Sequence, residues 1–185
     1  YLYPMNSLQG KTVLITGGTD GIGRSLVLQY LSLGANVVTC GRTQHKIHAL
    51  EAEAPVGKLC VLNIDVAVER DCERLVNHAI QQFGSIDILI NNAGSARAGS
   101  FLELSDEAFL DAWNLKLLGY IRFVRAVVPH LKKQGDGRIV NIIGGAGRTP
   151  RPNFLPGGTT NAALLNFTRG ISQELALDNI RINAI

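Results

Sequence analysis

Short apolar runs rich in β-branched residues alternate along this chain with stretches in which apolar residues recur every three or four positions. The runs predict β-strands and the periodic stretches predict α-helices. The predicted strands span residues 12–16, 36–40, 59–64, 86–90, 138–143 and 180–185. Several of them are apolar almost throughout, which is typical of parallel strands that are covered on both faces.

Four helices are predicted between these strands. The first runs from about Gly21 to Leu33 and ends at Gly34, a residue suited to a left-handed C-terminal position. The second ends at Gly84, and the fourth spans roughly residues 164–175. The third begins near Ser105 and gives the strongest periodic signal. The apolar stripes are Val68, Cys72, Val76 and Ile80 in the second helix, Phe109, Trp113, Leu117, Tyr120, Val124, Val127 and Leu131 in the third, and Leu164, Phe167, Ile171 and Leu175 in the fourth.

This alternation predicts an α/β fold: a doubly wound parallel sheet of the Rossmann type, in three α/β/α layers, with its ligand crevice at the carboxyl ends of the strands. A chain of 185 residues with 46% hydrophobic content is large enough for one sizeable core. We therefore expect a single domain over residues 5–185. Residues 1–4 are interpreted as a leader or an expression remnant, because Met5 is the only methionine and a natural start.

The loop after the first strand carries the first chemical signal. Its sequence is Thr-Gly-Gly-Thr-Asp-Gly-Ile-Gly, residues 16–23. Glycines permit a tight turn and close backbone approach, and the following helix N-terminus offers free N–H groups to a pyrophosphate. The alternative is a βα turn that only needs small residues. Asp65 after the third strand and Asn-Asn-Ala-Gly at residues 91–94 after the fourth favour the binding interpretation.

Together these segments resemble the short-chain dehydrogenase/reductase family, whose fingerprints are a TGxxxGxG loop, an Asp after the third strand and an NNAG segment after the fourth. The resemblance extends from about Gln9 to Ile185 and implies a nicotinamide cofactor. It implies that Gly17, Thr19, Gly21, Ile22 and Gly23 line the pyrophosphate, Asp65 and Val66 the adenine, and Asn92, Ala93 and Gly94 the nicotinamide-side ribose. For Asp65 a turn or helix cap stays open as an alternative, and for Asn91 and Asn92 a hydrogen-bonded loop end.

The end of the second strand bears on cofactor choice. An acidic residue there would bind the ribose 2′-hydroxyl of NAD, but Gly41 occupies the position and Arg42 follows. A guanidinium suits a 2′-phosphate through charge-assisted hydrogen bonds, so NADP is favoured over NAD. Asp20, in the glycine loop and counted among the cofactor-binding residues, weighs slightly against a second phosphate. The alternative for Arg42 is a solvated arginine at the end of a strand.

The resemblance breaks at the catalytic positions. The family uses a Tyr-x-x-x-Lys pair, an upstream Ser and an Asn on the long helix, and these positions carry Gly157, Asn161, Gly144 and Lys116. The usual tyrosine supplies the proton that accompanies hydride transfer, which glycine cannot do. Lys116, its pKa lowered by partial burial, is a candidate substitute, and Asn161 could hydrogen-bond a ribose hydroxyl. The alternative is that the aliphatic part of the Lys116 side chain packs against the protein while its ammonium group lies in solvent.

Two functions therefore stay open. The first is an NADP(H)-dependent oxidoreductase acting on a carbonyl or alcohol substrate, and the second is a cofactor-binding protein without turnover, acting as a sensor or partner subunit. The resemblance implies that the substrate pocket is built from a segment that follows the sixth strand. The given sequence ends at Ile185, before such a segment. Either the sequence is incomplete or the protein lacks that segment.

Composition and charge indicate which classes of binding partner are unfavourable for this chain. The net charge of +3 is scattered along the chain, which disfavours nucleic acid, and no apolar run approaches the roughly 18 residues of a membrane span. Three cysteines, an odd number and none at metal-ligand spacing, indicate a reduced cytoplasm and no metal site. The resemblance implies a homodimer or homotetramer that pairs the long helix and the following helix across subunits.

Overall fold

Six parallel strands form the centre of the computed structural model, which describes residues 8–185. The interpretation of residues 1–4, and the start of the predicted domain at Met5, lie outside the described residues. The strands are β1 (Thr12–Ile15), β2 (Asn36–Gly41), β3 (Leu59–Asn63), β4 (Ile88–Asn91), β5 (Gly137–Asn141) and β6 (Ile180–Ala184). Their order in the sheet is β3-β2-β1-β4-β5-β6. The predicted doubly wound Rossmann architecture is confirmed.

Six α-helices connect the strands. They are α1 (Gly21–Ser32), α2 (Gln44–Glu53), α3 (Glu69–Phe83), α4 (Asp106–Ala112), α5 (Gly119–Gln134) and α6 (Leu155–Leu175), with a π-helical segment (Trp113–Leu118) between α4 and α5. Three-residue 3₁₀ turns lie at Phe101–Glu103, Gly145–Gly147 and Ala176–Asp178. No helix within residues 8–185 is long and apolar enough to cross a membrane.

Three helix predictions need correction. The sequence reading missed α2 altogether, because that helix buries only Ile47 and Leu50 and has no continuous apolar stripe. Val68 precedes α3 and is 48% exposed, so it does not belong to that core stripe. The predicted long helix is divided into α4, the π-helical segment at residues 113–118 and α5, and Trp113 is partly exposed rather than part of the core.

Helices cover both faces of the sheet with separate cores. On one face, Val27, Leu31 and Leu50 from α1 and α2 pack on β1 and β2. On the other face, α3, α5 and the end of α6 pack over the sheet, with Phe123 and Leu131 among the fully buried side chains. Because both faces are covered, the central strands are apolar at nearly every position, as the sequence pattern indicated.

The chain changes direction between β1 and β4. From β1 it proceeds outward to β2 and β3, and from β4 it proceeds the other way to β5 and β6. The loops that follow β1 and β4 therefore diverge, one to each face of the sheet. A crevice at this switch point is the expected ligand site of a doubly wound fold.

A buried chain of polar side chains supports the carboxyl ends of β4 and β5. Asn91 Nδ2 donates to Asn141 Oδ1 at 2.9 Å, and Asn141 Nδ2 donates to Thr168 Oγ1 at 2.9 Å. The Thr168 hydroxyl in turn donates to the Leu164 carbonyl at 2.7 Å. These bonds attach α6 to the sheet edge that borders the crevice.

We expect Thr168→Val to lower the free energy of unfolding by about 1–3 kcal/mol, because the variant keeps the shape and leaves a buried Asn141 N–H without a partner. Urea denaturation followed by circular dichroism measures the change. Thr149→Val, at an exposed position without side-chain hydrogen bonds, is the control and should change stability by less than about 0.5 kcal/mol. Equal effects of the two substitutions would contradict the role given to the buried chain.

Candidate active site

The strand ends at the switch point open on a cleft of about 980 Å³. Most residues that the sequence predicted for cofactor binding or catalysis line it, and Gly144 does so too. These are Gly17, Thr19, Asp20, Gly21, Ile22, Arg42, Asp65, Val66, Asn92, Ala93, Gly94 and Lys116. Gly23 lies buried beneath the loop, and Asn161 lines a small adjoining cavity instead.

The glycine loop is folded tightly against the first turn of α1. Gly17 has φ +69°, a left-handed conformation that favours glycine. A Cβ atom on Gly23 would lie 2.2 Å from the Gly17 carbonyl oxygen and 2.5 Å from Asn92 Nδ2. Only a residue without a side chain allows α1 to begin at this distance from the strand. The close approach is the structural requirement that the glycine spacing encodes.

Thr16 and Asn92 hold the loops after β1 and β4 together. Asn92 Nδ2 donates to the Thr16 carbonyl at 2.9 Å and to the Gly17 carbonyl at 3.2 Å. The Thr16 hydroxyl accepts from the backbone N–H groups of Asn92 and Ala93 at 2.9 and 3.0 Å. The hydrogen-bonded loop end considered as the alternative for Asn92 is thus present, while the residue also borders the cleft.

Charged groups of both signs surround the end of the cleft next to β2. Asp20 caps α1 by accepting from Gly21 N at 2.8 Å and pairs with Lys46 of α2, and these contacts lower the pKa of its carboxyl, the Lys46 hydrogen bond most. Arg42 is 65% exposed in its side chain and lies 3.7 Å from Asp65 Oδ2. Asp65 also accepts from the N–H of Ala67 at 2.9 Å, the turn that the sequence left open.

Lys116 lies at the other end of the cleft, in the π-helical segment. Its aliphatic stem packs against Gly94, where a Cβ atom would come within 2.7 Å of Lys116 Cδ. Its Nζ atom lies 5.6 Å from the centre of the Tyr120 ring. Burial lowers the pKa of this lysine. π-Helical turns are rare in proteins, and those that occur are often found at functional sites. Here the π-helical segment contains Lys116.

The model of the short chain dehydrogenase family matches residues 11–185, nearly all of the described chain. This chain belongs to the short-chain dehydrogenase family. It is 32% identical over 180 residues to the 3-oxoacyl-[acyl-carrier-protein] reductase FabG of Thermotoga maritima. The alignment covers 96% of this chain and 73% of that protein. It is 36% identical over 182 residues to a tropinone reductase homolog of Arabidopsis thaliana, and that alignment covers 97% of this chain and 69% of the homolog.

Solved structures agree with this assignment. A short-chain dehydrogenase from Streptomyces avermitilis superposes with a TM-score of 0.90 at 27% identity, over 96% of this chain and 65% of that one. The chain thus spans roughly two thirds to three quarters of the length of these relatives. The sheet and the cleft described above belong to the shared part.

Two of the four positions that the sequence predicted as the family's catalytic positions are glycines that pack against neighbouring side chains. A Cβ atom on Gly157 would lie 2.1 Å from Cε1 of Phe154, so the Phe154 ring fills the space beside that position. A Cβ atom on Gly144 would lie 2.9 Å from Nδ2 of Asn161. Side chains at positions 144 and 157 therefore conflict with the present arrangement.

The other two predicted positions, Lys116 and Asn161, line one small pocket of about 80 Å³ beside the cleft. Asn161 is 3% exposed, and its Oδ1 atom has no hydrogen-bond partner among residues 8–185. Thr160 and Phe154 complete much of the wall. The structure brings Lys116 and Asn161 together, although they are far apart in sequence and sit on different helices.

The sequence reading missed three residues at the site. Thr43 and Lys46 line the cleft at the start of α2. They were not predicted as site residues because α2 itself was not predicted. Arg42 lies in the short connection before α2 and Lys46 lies in its first turn, so only a helix start at residue 44 would have indicated that both cations border the cleft. Phe154 has no motif of its own, and only the three-dimensional contact with Gly157 reveals it.

We expect Gly23→Ala to destabilise the protein by more than about 2 kcal/mol, since the added methyl group meets backbone that cannot move without displacing β1 or β4. Gly170→Ala is a matched control, because Gly170 is also helical but has open space around its Cβ position. The control should raise stability by about 0.5–1 kcal/mol through helix propensity. Thermal and urea unfolding measure both, and a neutral Gly23→Ala would contradict the close-approach argument.

Proposed function

We propose that this short-chain dehydrogenase is an NADP(H)-dependent oxidoreductase that interconverts a carbonyl group and an alcohol, with Lys116 as its proton donor and acceptor. One observation carries the proposal. A single cleft has a glycine loop along its length, the cations Arg42 and Lys46 at one end, and a partly buried lysine at the other. The two ends fit the two tasks of cofactor selection and proton transfer.

The shape of the cleft fits a dinucleotide. Its volume of about 980 Å³ is at the upper end of the range of roughly 300–1,000 Å³ for ligand pockets. Gly17 to Ile22 lie at the N-terminus of α1, where backbone N–H groups favour phosphate oxygens. Asp65 and Val66 would hold the adenine, and Asn92, Ala93 and Gly94 the ribose next to the nicotinamide. When bound, the nicotinamide supplies or accepts the hydride.

The cations beside β2 support NADP as the cofactor. Gly41 removes the carboxylate that NAD would need there, and a Cβ at that position would lie 2.2 Å from Thr19 Oγ1, so a larger residue conflicts with the glycine loop. Arg42 is largely exposed and its 3.7 Å ion pair with Asp65 is loose, which leaves the guanidinium able to turn to a phosphate. Lys46 neutralises Asp20, the residue that had counted against a second phosphate.

Lys116 supports the chemical role. In the described residues no carboxylate lies within 4 Å of its Nζ atom, so the ammonium is not held by an ion pair. Desolvation favours release of a proton from Nζ. Lys116 can therefore donate a proton to the oxygen of a carbonyl substrate and take it back in the reverse direction. Asn161 would hydrogen-bond a ribose hydroxyl.

The comparisons support an enzyme rather than the alternative, a cofactor-binding sensor or partner subunit. Both relatives named above are described as a reductase or a reductase homolog. A homodimer or homotetramer, built on the long helix and α6, and a cytoplasmic location stay predictions.

We expect the protein to bind NADPH more tightly than NADH. Arg42→Ala and Lys46→Ala should each weaken NADPH binding by roughly ten- to a hundredfold, about 1.5–3 kcal/mol for a lost charged hydrogen bond, and leave NADH almost unchanged. Isothermal titration with both cofactors measures this. Lys133→Ala, at the end of α5, removes a charge from the opposite edge of the sheet and should have no effect. Equal affinities for the two cofactors in the unmodified protein would refute the NADP assignment.

We expect Lys116→Met to slow single-turnover oxidation of NADPH by at least about a hundredfold, while NADPH affinity stays nearly intact, since general acid catalysis contributes about 10²–10⁴. The substrate is first chosen from a screen of aldehydes, ketones and enones. Because the acid must be protonated, the wild-type rate should fall as pH rises through the lowered pKa of Lys116. Lys116→Arg, which keeps the charge but does not release a proton, should be as slow as Lys116→Met. A wild-type rate in either variant means that the proton comes from elsewhere.

A further inference from the structure

The loop between β3 and α3, residues 64–68, forms part of the cleft wall near β2, and Asp65 and Val66 line the cleft there. Two contacts with the start of α3 shape this loop. The Asp65 N–H donates to Asp71 Oδ2 at 2.8 Å, and Cys72 Sγ donates to the Val66 carbonyl at 3.4 Å. Because α3 follows the loop directly, these bonds fix the local turn and not its place relative to the rest of the cleft.

Arg122 attaches the same loop to a distant part of the chain. Its Nη1 atom donates to the Ala67 carbonyl at 2.9 Å and, in a longer contact of 3.4 Å, to the Asn114 carbonyl. Arg122 lies in the first turn of α5, and Asn114 lies in the π-helical segment that contains Lys116. The guanidinium therefore joins the loop after β3 to the segment around Lys116.

The chemistry of arginine suits this connection. A terminal guanidinium nitrogen carries two N–H groups, so one atom can serve both carbonyls. No carboxylate lies within 4 Å of Arg122 in the part of the chain that the structure describes, so these main-chain oxygens do not compete with an ion pair. Hydrogen bonds from an ionised donor are roughly twice as strong as neutral ones. Arg125, three residues further along α5, instead makes an exposed 3.5 Å pair with Glu69, which contributes little to stability.

The backbone of α5 also approaches the loop closely. A Cβ atom on Gly119 would lie 3.3 Å from the Val66 carbonyl oxygen, so the start of α5 packs directly on that residue. Val66 is 7% exposed. The first turn of α5 thus contacts the loop at two consecutive residues, Val66 through the backbone and Ala67 through the Arg122 side chain.

We propose that Arg122 is a positioning residue for the cofactor: by joining the loop after β3 to the π-helical segment, it sets where Asp65 and Val66 lie relative to Lys116. A dinucleotide is one covalent unit, so the walls that hold its two ends must stand at a fixed separation. The proposal rests on the proposed function in taking this loop as the adenine wall. It depends neither on Lys116 as the catalytic acid nor on the choice between NADP and NAD.

Binding of the adenine half of the cofactor provides the test. We expect Arg122→Met, which keeps an unbranched side chain but removes the donors, to weaken binding of 2′,5′-ADP by roughly tenfold in isothermal titration, at the lower end for a lost charged hydrogen bond. If the unmodified protein binds 5′-ADP more tightly, 5′-ADP is the probe. Arg122→Lys keeps a cation that can donate to one carbonyl and should recover part of the affinity. Without nucleotide, amide hydrogen exchange at residues 64–68 should be faster in Arg122→Met than in the unmodified protein.

Two variants that keep Arg122 are the controls. Arg125→Met removes the same charge from the same helix, and Thr168→Val lowers stability elsewhere; both should bind the fragment like the unmodified protein. A merely structural role predicts lower stability in Arg122→Met with unchanged affinity, and that result would overturn the proposal, as would an equal loss in Arg125→Met.

The two measurements separate this proposal from the proposed function. If the unmodified protein binds neither fragment, the cofactor-binding function is refuted, and unchanged exchange at residues 64–68 would still refute the role of Arg122 in holding the loop. If Arg122→Met does not fold, Arg122→Lys decides: affinity and exchange both equal to those of the unmodified protein would overturn the proposal.

Discussion

Helix α1 starts so close to the end of β1 that position 23 has room for a hydrogen atom and no more on the side facing Gly17. This contact sets where the first turn of the helix lies and which way its free N–H groups point. Asn92 and Thr16 then attach the loop after β4 to the same place. The floor of the cleft is therefore built by backbone approach, before any cofactor-selecting side chain contributes.

The two ends of the cleft treat charge in opposite ways. Next to β2, four charged side chains form two ion pairs that solvent screens and that contribute little stability, so this end suits recognition of a charged group. At the other end, Lys116 is partly withdrawn from water and has no ionic partner among residues 8–185, and burial lowers its pKa. The two proposed tasks, cofactor recognition and proton transfer, would thus be separated along one sheet edge.

The sequence predicted the sheet well because the signals there are local. β-Branched apolar runs form the central strands, and the glycine loop and the Asn-Asn-Ala-Gly segment each fit within a few residues. The sequence did not predict α2, because a ten-residue helix that buries only Ile47 and Leu50 shows little apolar periodicity. The place of Lys46 at the cleft was therefore not predicted either. The π-helical turn at Lys116 escaped notice because the steps of three and four residues in the apolar stripe are compatible with an uninterrupted α-helix.

The contacts around Asn161 could not be predicted from sequence for a different reason. They join a loop after β5 to α6 and α6 to the segment around Lys116, and each depends on how whole elements are placed. Sequence comparison with the family pattern identified the four positions, but it could not show that Phe154 fills the space beside Gly157 or that Lys116 and Asn161 share a cavity.

Gly144 and Gly157 are each coupled by close packing to one neighbouring side chain. A Cβ atom at position 157 requires the Phe154 ring to move, and one at position 144 requires the Asn161 amide to move. A side chain at either position is therefore accommodated only together with a shift of its neighbour. Residues in contact contribute non-additively to stability, so the effect of a substitution at 144 or 157 depends on which residue stands at 161 or 154.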